Sequence, residues 1–314
     1  MLANEQMINF KNDLPIETTI QKITHQETHY HDNAIELIFC LEGTVSLRAS
    51  HRHVTLQKND VYSMDVGDIH CLYSDCDNLI LIVHLNTLNE FVSKERLLNC
   101  FFHCETLNMR YFQKESMYKV KDLMLAAALL DTNDDCETSD GHKEITGQLI
   151  DLLINHFDWL SFIWDPMGDN HIFQERIHRI LRYCMENYSH KISVSSLARR
   201  EHINENYFSS FMKKTSFYNF SSMLNFIRCD GAERLLLTTD ENIIEISSIC
   251  GFSDPKYFYK HFREWWKISP AKLRKWYREY ESLPVEEYTL TKEEAAQSLK
   301  EFMCDYHLQR TFNK

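Results

Sequence analysis

The chain has 314 residues, 44% of them hydrophobic, with only 7 Gly and 5 Pro, and a net charge of −12. That length suits two folded domains with real cores and excludes a largely disordered polymer. No apolar run approaches the ~20 residues that cross a bilayer, and the opening MLANEQMINFKND lacks the basic start and apolar stretch of a signal peptide. The ten Cys contain no C-x-x-C pair, and Cys100 and Cys104 have three residues between them. Reduced, buried thiols in a cytoplasmic protein are the ordinary reading of such scatter.

In chain order, a polar arm (1–13) comes first. From about Ile20 to Leu85, short apolar runs follow: IELIFCL (35–41), TVSLRAS (44–50) and LILIVHL (79–85). Turn signals separate them at Glu42-Gly43, Lys58-Asn59-Asp60 and 74–78. Strands at this spacing predict a small antiparallel barrel or sandwich. Within it, HYHDNAIELIFCLEG carries His29, His31, Glu36 and Gly43. Residues i and i+2 of a strand face one side, so His29 and His31 can converge.

Two helices are predicted next, SMYKVKDLMLAAALL (116–130) and HKEITGQLIDLLINHF (142–157), broken by the polar DTNDDCETSDG (131–141). The second carries a stripe of Ile145, Leu149, Leu152, Leu153 and His156, which by helical spacing packs on its own domain or on a second copy. A connection (159–170) interrupted by Pro166 and Gly168 leads into the C-terminal half.

There one short design is written twice, SVSSLARREHINENYFSSFMKK (193–214) and IIEISSICGFSDPKYFYKHFREW (243–265). Each copy is a short amphipathic segment, a break, and a second segment opening on a helix-capping residue. In the second segments Tyr207, Phe208, Phe211 and Met212, then Tyr257, Phe258, His261 and Phe262, make one sticky face. The free face carries Asn206, Ser209, Ser210 and Lys213 in one copy, and Lys256, Tyr259, Lys260 and Arg263 in the other. Two short helices joined by a tight turn, the second polar and basic outside, describe a helix-turn-helix. The alternative is a helical bundle whose basic faces are merely solvated. Charge separates the two readings: residues 171–280 hold 18 Lys and Arg against 12 Asp and Glu, a net +6, so the rest of the chain sums to −18. A basic module inside an acidic protein is the electrostatic footprint of phosphate binding.

Between the copies, residues 219–238 are apolar-periodic and free of proline, so a single rod of roughly 27 Å is expected, near the ~34 Å between successive major grooves. Asn206, Ser209, Ser210, Lys213, Lys256, Tyr259 and Lys260 are the candidates for base edges, with Lys214 and Arg263 placed for phosphates. After Tyr280, an acidic extension (281–314) contains TKEEAAQSLKEFMCDYHLQR, which reads as helical and packs on whatever lies nearest.

These motifs resemble the DNA-binding domain of the AraC/XylS family of bacterial transcription regulators. LNFIR with Ala232, Leu235 and Leu236 is similar to the family's linker helix. IIEISSICGF with Asp254 and KYF is similar to its second motif, and Ser269-Pro270 with Leu273-Arg274 to its closing helix. His202, Phe217 and Lys267 stand where the family usually has Gly, so those turns must reach positive φ without glycine or change shape, at a cost on the order of 1 kcal/mol each. HYHDNAIELIFCLEG resembles the first motif of the cupin barrel, and Asp65, Gly67 and His70 a weaker second one.

The resemblance implies an α+β multidomain protein. It would comprise an arm and a small cupin-like β-barrel (1–110), a helical dimerisation segment (111–170), an all-α domain with two helix-turn-helix motifs joined by a linker helix (171–280), and the extension (281–314). It implies double-stranded promoter DNA, RNA polymerase and a homodimer partner as contacts, with no enzymatic activity, no cofactor and no membrane. His29, His31, Glu36, His70 and Tyr73 would line a pocket for a small effector, a sugar or related metabolite, with Phe39 and Leu41 serving instead for a lipid-like one, and the arm as a lid. In a cupin enzyme His29, His31, Glu36 and His70 would be a complete metal set, suiting Zn, Mn, Fe or Ni. The competing readings are therefore a metal-dependent cupin enzyme with an appended DNA domain, and a constitutive DNA-binding protein whose barrel only dimerises.

Overall fold

The computed structural model describes residues 2–92, 102–133, 139–157, 171–215, 217–279 and 284–312. The connection read at 159–170 lies outside them. The chain divides into two compact units, one formed by Glu5–Leu98, Phe102–Phe157 and Leu283–Lys314, the other by Met1–Asn4, Asn99–Phe101 and Asp158–Ser282.

The first unit is built on ten strands: β1 (Asn4–Glu5), β2 (Ile16–His25), β3 (His29–Tyr30), β4 (Ala34–Glu42), β5 (Thr44–Ala49), β6 (Arg52–Gln57), β7 (Val61–Met64), β8 (His70–Tyr73), β9 (Leu79–Asn86) and β10 (Glu286–Thr289). They pair in the order β1-β3-β8-β2-β9-β4-β7, with the β5–β6 hairpin joined to β8 and β10 joined to β2. The antiparallel pairing expected from the alternating runs is there, but the path is open: its two end strands, β1 and β7, are not neighbours. Gly43, at φ +68°, makes the β4–β5 turn, where a Cβ would stand 2.1 Å from the Asp77 carbonyl oxygen. An apolar core of the strands includes Ile23, Ile38, Val45, Leu47, Leu56, Leu72, Ile80 and Ile82.

Helix α1 (Lys114–Thr132) packs on β2 and on α2 (Ser139–Leu152), which runs into a wider π turn, Leu153–Phe157. Two elements of the C-terminal extension belong to this unit. Strand β10 lies antiparallel to β2, with Thr289 opposite Gln21, and the helix Lys292–Phe312 packs on α1. From that helix Phe302 and Tyr306 meet the Phe39 ring at centroid distances of 5.5 and 6.4 Å. Phe39 is therefore wall material filled from outside, and offers no lining to a lipid-like guest.

The second unit is helical: α3 (His171–Asn187), α4 (Val194–Arg200), α5 (Glu205–Met212), α6 (Phe220–Thr238), α7 (Ile243–Ile249), α8 (Pro255–Trp266) and α9 (Pro270–Arg278). Side chains start six of them. Ser193, Asn204, Asn219, Asn242, Asp254 and Ser269 each accept a hydrogen bond from a backbone N–H of the first turn of α4 to α9 in order, satisfying donors that would otherwise be orphaned. Pro255 and Pro270 occupy first-turn positions, where a missing N–H costs nothing. Two of the three glycine-less turns do adopt positive φ at the residue named, His202 (53°) and Lys267 (61°), whereas at the third the left-handed residue is Tyr218 (64°), next to Phe217. Phe217 is instead buried in the core of the first lobe.

Candidate nucleic-acid interface and buried histidine cluster

In each reading helix the apolar side chains build the lobe and leave the polar ones outside. Phe208, Phe211 and Met212 of α5 are buried with Ile180, Leu197 and Met223. Asn206, Ser209 and Ser210, and beyond the helix Lys213 and Lys214, are exposed. In α8, Phe258, Phe262 and Trp266 are buried, Phe258 and Phe262 with ring centroids 5.4 Å apart, and the Trp266 indole N–H donates to the Glu233 carboxylate of α6. Lys256, Lys260 and Arg263 are exposed and Tyr259 half-buried. Helix α6 spans 19 residues, roughly 28 Å at 1.5 Å each. Arg228 anchors it to the carbonyls of Tyr188 and His190, and Arg274 holds its far end through the Leu236 carbonyl. All nine predicted contact residues therefore stand on the surface side of their helices or the turn that follows.

Three aromatic positions differ from the expected sticky face. Tyr207 and Tyr257 are 50% and 53% exposed, and His261 is half-buried beside Asn225 and Glu264. Packing against neighbours on one side gives short helices a narrow buried stripe (208, 211, 212 and 258, 262, 266), so the residues at its flank turn outward. Tyr207 then forms a shallow surface depression with Arg176, Arg199, His202, Ile203 and Asn204, with Arg176 5.8 Å above its ring. Sequence reasoning missed Tyr207, Tyr257, Arg176 and Arg199 as members of this surface.

In the sheet unit the strand geometry brings four sequence-named residues together. Strand β3 pairs with β8 so that His29 lies opposite His70, and β4 pairs with β9 so that Glu36 lies opposite His84. His29, His31, Glu36 and His70 are at most 3% exposed, and their ligating atoms all lie within 4.8 Å of one another. One oxygen, Glu36 Oε2, is approached by three imidazole Nε2 atoms: His31 at 2.9 Å, His84 at 3.1 Å and His70 at 3.4 Å. Burial disfavours the Glu36 carboxylate, yet His70 and the hydrogen bonds of its imidazole neighbours hold its pKa well below the usual range. His70 goes the other way: burial disfavours its cation, but Glu36 raises it. His29, desolvated and next to His70, is pushed down to about 3.

Each Nδ1 faces outward onto a carbonyl: His29 onto Glu27 (2.8 Å), His31 onto Gln6 (2.6 Å) and His70 onto Asp68 (2.9 Å). Gln6 belongs to the arm, which is further held by the pair of bonds between Ile8 and the Asn33 side chain. Tyr73 does not join this group. Three residues beyond His70 on one strand, it points to the opposite face, where its hydroxyl meets His53 Nε2 at 3.2 Å. His84 is the member that sequence reading missed; a lone His inside LILIVHL was its only trace.

The same unit also has a cleft of about 400 Å³ whose walls include Glu17, Thr18, Asp131, His142 and Lys292. Asp131 ties Thr18 (2.6 Å) to His142 (2.8 Å) across it. Along the predicted dimerisation stripe, Leu149 and Leu153 are fully buried within the unit, while Ile145, Leu152 and His156 remain half-buried.

Comparison with known proteins bears on the helical unit. Residues 197–275 match the family model described as a helix-turn-helix domain. Over 94 residues the chain is 32% identical to an HTH-type transcriptional regulator of Bacillus subtilis, YisR, covering 30% of this chain and 33% of the relative. It is 29% identical over 99 residues to the regulatory protein PocR of Salmonella typhimurium, again covering 33% of that protein, so the chain spans about a third of the length of both. A longer and weaker likeness, 21% over 259 residues, extends across 82% of this chain and 89% of the lactose operon transcription activator of Staphylococcus xylosus. Among solved structures, the DNA-binding domain of AdpA in complex with a target DNA is 27% identical, covers 34% of this chain and 93% of that one, and has a TM-score of 0.31. The chain thus carries a helix-turn-helix domain of the kind found in transcriptional regulators. Within that domain two reading helices, α5 and α8, are joined by one linker helix, α6, the arrangement that the resemblance to AraC-type regulators implies.

Proposed function

We propose that this protein is a sequence-specific regulator of transcription that lays α5 and α8 into successive major grooves along one face of a promoter, under the control of its sheet unit. The observation that carries this reading is the outward display of Asn206, Ser209, Ser210, Lys213, Lys256 and Lys260 by two helices whose apolar sides are spent on the core. Lys and Asn side chains can bond guanine and adenine edges, while Lys214 and Arg263 take phosphates and set the register. The exposed Tyr207 and Tyr257 add hydroxyls and ring faces at the flank of each helix.

In this reading the regulator is a homodimer, with Ile145, Leu152 and His156 left to meet a second copy, and it activates transcription by contact with RNA polymerase. Its effector is a small hydroxylated metabolite of the sugar class, for which the cleft beside Glu17, Asp131 and His142 has room. A ligand that prefers one arrangement of the chain tenfold shifts the balance by only about 1.4 kcal/mol, within reach of a few hydrogen bonds. The test is a gel-shift titration at fixed salt on fragments selected from the host genome. Lys260→Ala should weaken cognate binding by about 1–3 kcal/mol, and Lys214→Ala should weaken all sequences alike while reducing the salt slope by about one. Unchanged affinity in both variants would remove the proposed docking.

A further inference from the structure

We infer that the cleft beside β2 takes the ammonium group of a small hydroxylated amine, an amino sugar or amino alcohol, between the carboxylates of Glu17 and Asp131. This rests on the reading of that cleft as the effector site and narrows the ligand it admits. The cleft is built from three directions. Strand β2 supplies Glu17 and Thr18, helices α1 and α2 supply Asp131 and His142, and the C-terminal extension adds Thr289 and Ala295. Its volume of about 400 Å³ falls within the range of small-molecule sites.

Two carboxylates stand on this wall, and both are partly open, their side chains 19% and 23% exposed. Asp131 is fixed in place: one oxygen accepts from the Thr18 N–H and hydroxyl at 2.9 and 2.6 Å, and the other meets His142 Nε2 at 2.8 Å. Glu17 is less well served. Its Oε2 is buried without a hydrogen-bond partner, and its Oε1 stands 3.8 Å from the Lys11 ammonium, whose side chain is 76% exposed. An exposed pair of that length contributes little. Burial raises the Glu17 pKa, Lys11 opposes the rise, and the Asp131 charge adds to it. A cation between the two carboxylates removes their repulsion, which a neutral sugar hydroxyl cannot do. His142 supplies the second recognition element. Its side chain is 6% exposed, and its Nδ1 is buried without a partner. A neutral ring offers Nδ1 as an acceptor and a protonated ring as a donor, and a hydroxyl answers either. Among the described residues Glu17, Asp131 and His142 do not form a metal-sized group of ligating atoms. A molecule of several atoms can bridge them where a bare ion cannot.

The full-length protein is titrated calorimetrically with glucosamine, ethanolamine, N-acetylglucosamine and glucose. One glucosamine or ethanolamine per chain is expected, the tighter of the two showing which source of the amine the cleft fits. N-acetylglucosamine, which has lost the charge, and glucose, which lacks the nitrogen, should bind at least about tenfold more weakly, as loss of a charge-assisted hydrogen bond requires. Glu17→Gln should bring glucosamine down to the level of glucose. Thr289→Trp, which fills the cleft from an exposed strand position, should weaken every probe with circular dichroism unchanged, so that misfolding is not the explanation. Tyr73→Phe, on the far face of β8, should alter none of these affinities. Equal affinity for glucosamine and glucose, or undiminished glucosamine binding by folded Glu17→Gln, would overturn the ammonium assignment and leave a sugar effector standing. Absence of saturable binding by both amines would overturn it as well. Amine binding that leaves gel-shift affinity unchanged would keep the site and remove its effector role.

Discussion

The two units treat polar side chains in opposite ways. In the helical unit the groups able to recognise a partner, from Asn206 to Arg263, are outside, and the interior is aromatic. In the sheet unit Glu36, His29, His31 and His70 are inside and at most 3% exposed. A surface display suits a macromolecule that arrives with its own phosphates, whereas a buried carboxylate among imidazoles must be satisfied from within. The contrast implies different failure modes: the helical unit should break when its core is cut, the sheet unit when its interior charge is disturbed.

The largest effect is expected from Phe258→Ala. This side chain is fully buried between Phe252 and Phe262, and its loss should cost about 3–5 kcal/mol. Denaturant unfolding followed by circular dichroism would record it, and the second half of the DNA footprint should vanish with it. A cost below about 1 kcal/mol would mean that α8 is not built on its aromatic side.

Second in size is a buried charge in the sheet unit. The Lys121 ammonium donates to the Asn59 carbonyl at 2.6 Å and lies near the Phe39 ring; burial pushes its pKa down to about 8. The unfolded chain therefore binds more protons between about pH 8 and the ordinary Lys value near 10.5, and stability should rise with pH across that window. The change is at most roughly 3 kcal/mol. In Lys121→Met the rise should disappear, as read by thermal unfolding at pH 7.5 and 10; an identical rise in the variant would assign it to other groups.

How far each unit can be read in advance follows from the same contrast. Helix-turn-helix chemistry is local: caps such as Asp254 and Asn204, the apolar spacing and the exposed Lys residues all sit within a few positions of one another. The sheet cluster is only partly local. His29 and His31 are two residues apart, but the approach of His70 and His84 is decided by pairing registers across strands, which no single run of residues announces. Strand β10 was invisible for a related reason. Its EEYT sequence is wholly exposed, and it joins β2 by backbone pairing with a Thr289–Gln21 side-chain bond beside it. Tyr73 shows the cost of ignoring parity, since one odd step along β8 sends it to the other face.

A cap provides a finer test of the local half. The Asp254 carboxylate accepts from the Lys256 N–H at 2.7 Å; Asp254→Ala should lose about 0.5–2 kcal/mol, with cognate affinity falling as the start of α8 frays. Equal stability with intact affinity would show that Pro255 alone is enough to start the helix.

The smallest expected change is a gain. His202 is exposed and holds φ 53° in the turn before α5, a conformation that costs a side chain on the order of 1 kcal/mol. Glycine relieves that cost but gives back part of it as freedom in the unfolded chain. His202→Gly should therefore raise stability by about 0.5 kcal/mol, visible as a small increase in Tm, and leave cognate binding within twofold. If binding instead falls while stability rises, His202 is acting with Arg199 and Tyr207 on the DNA side of the turn, and the recognition surface extends beyond the reading helix itself.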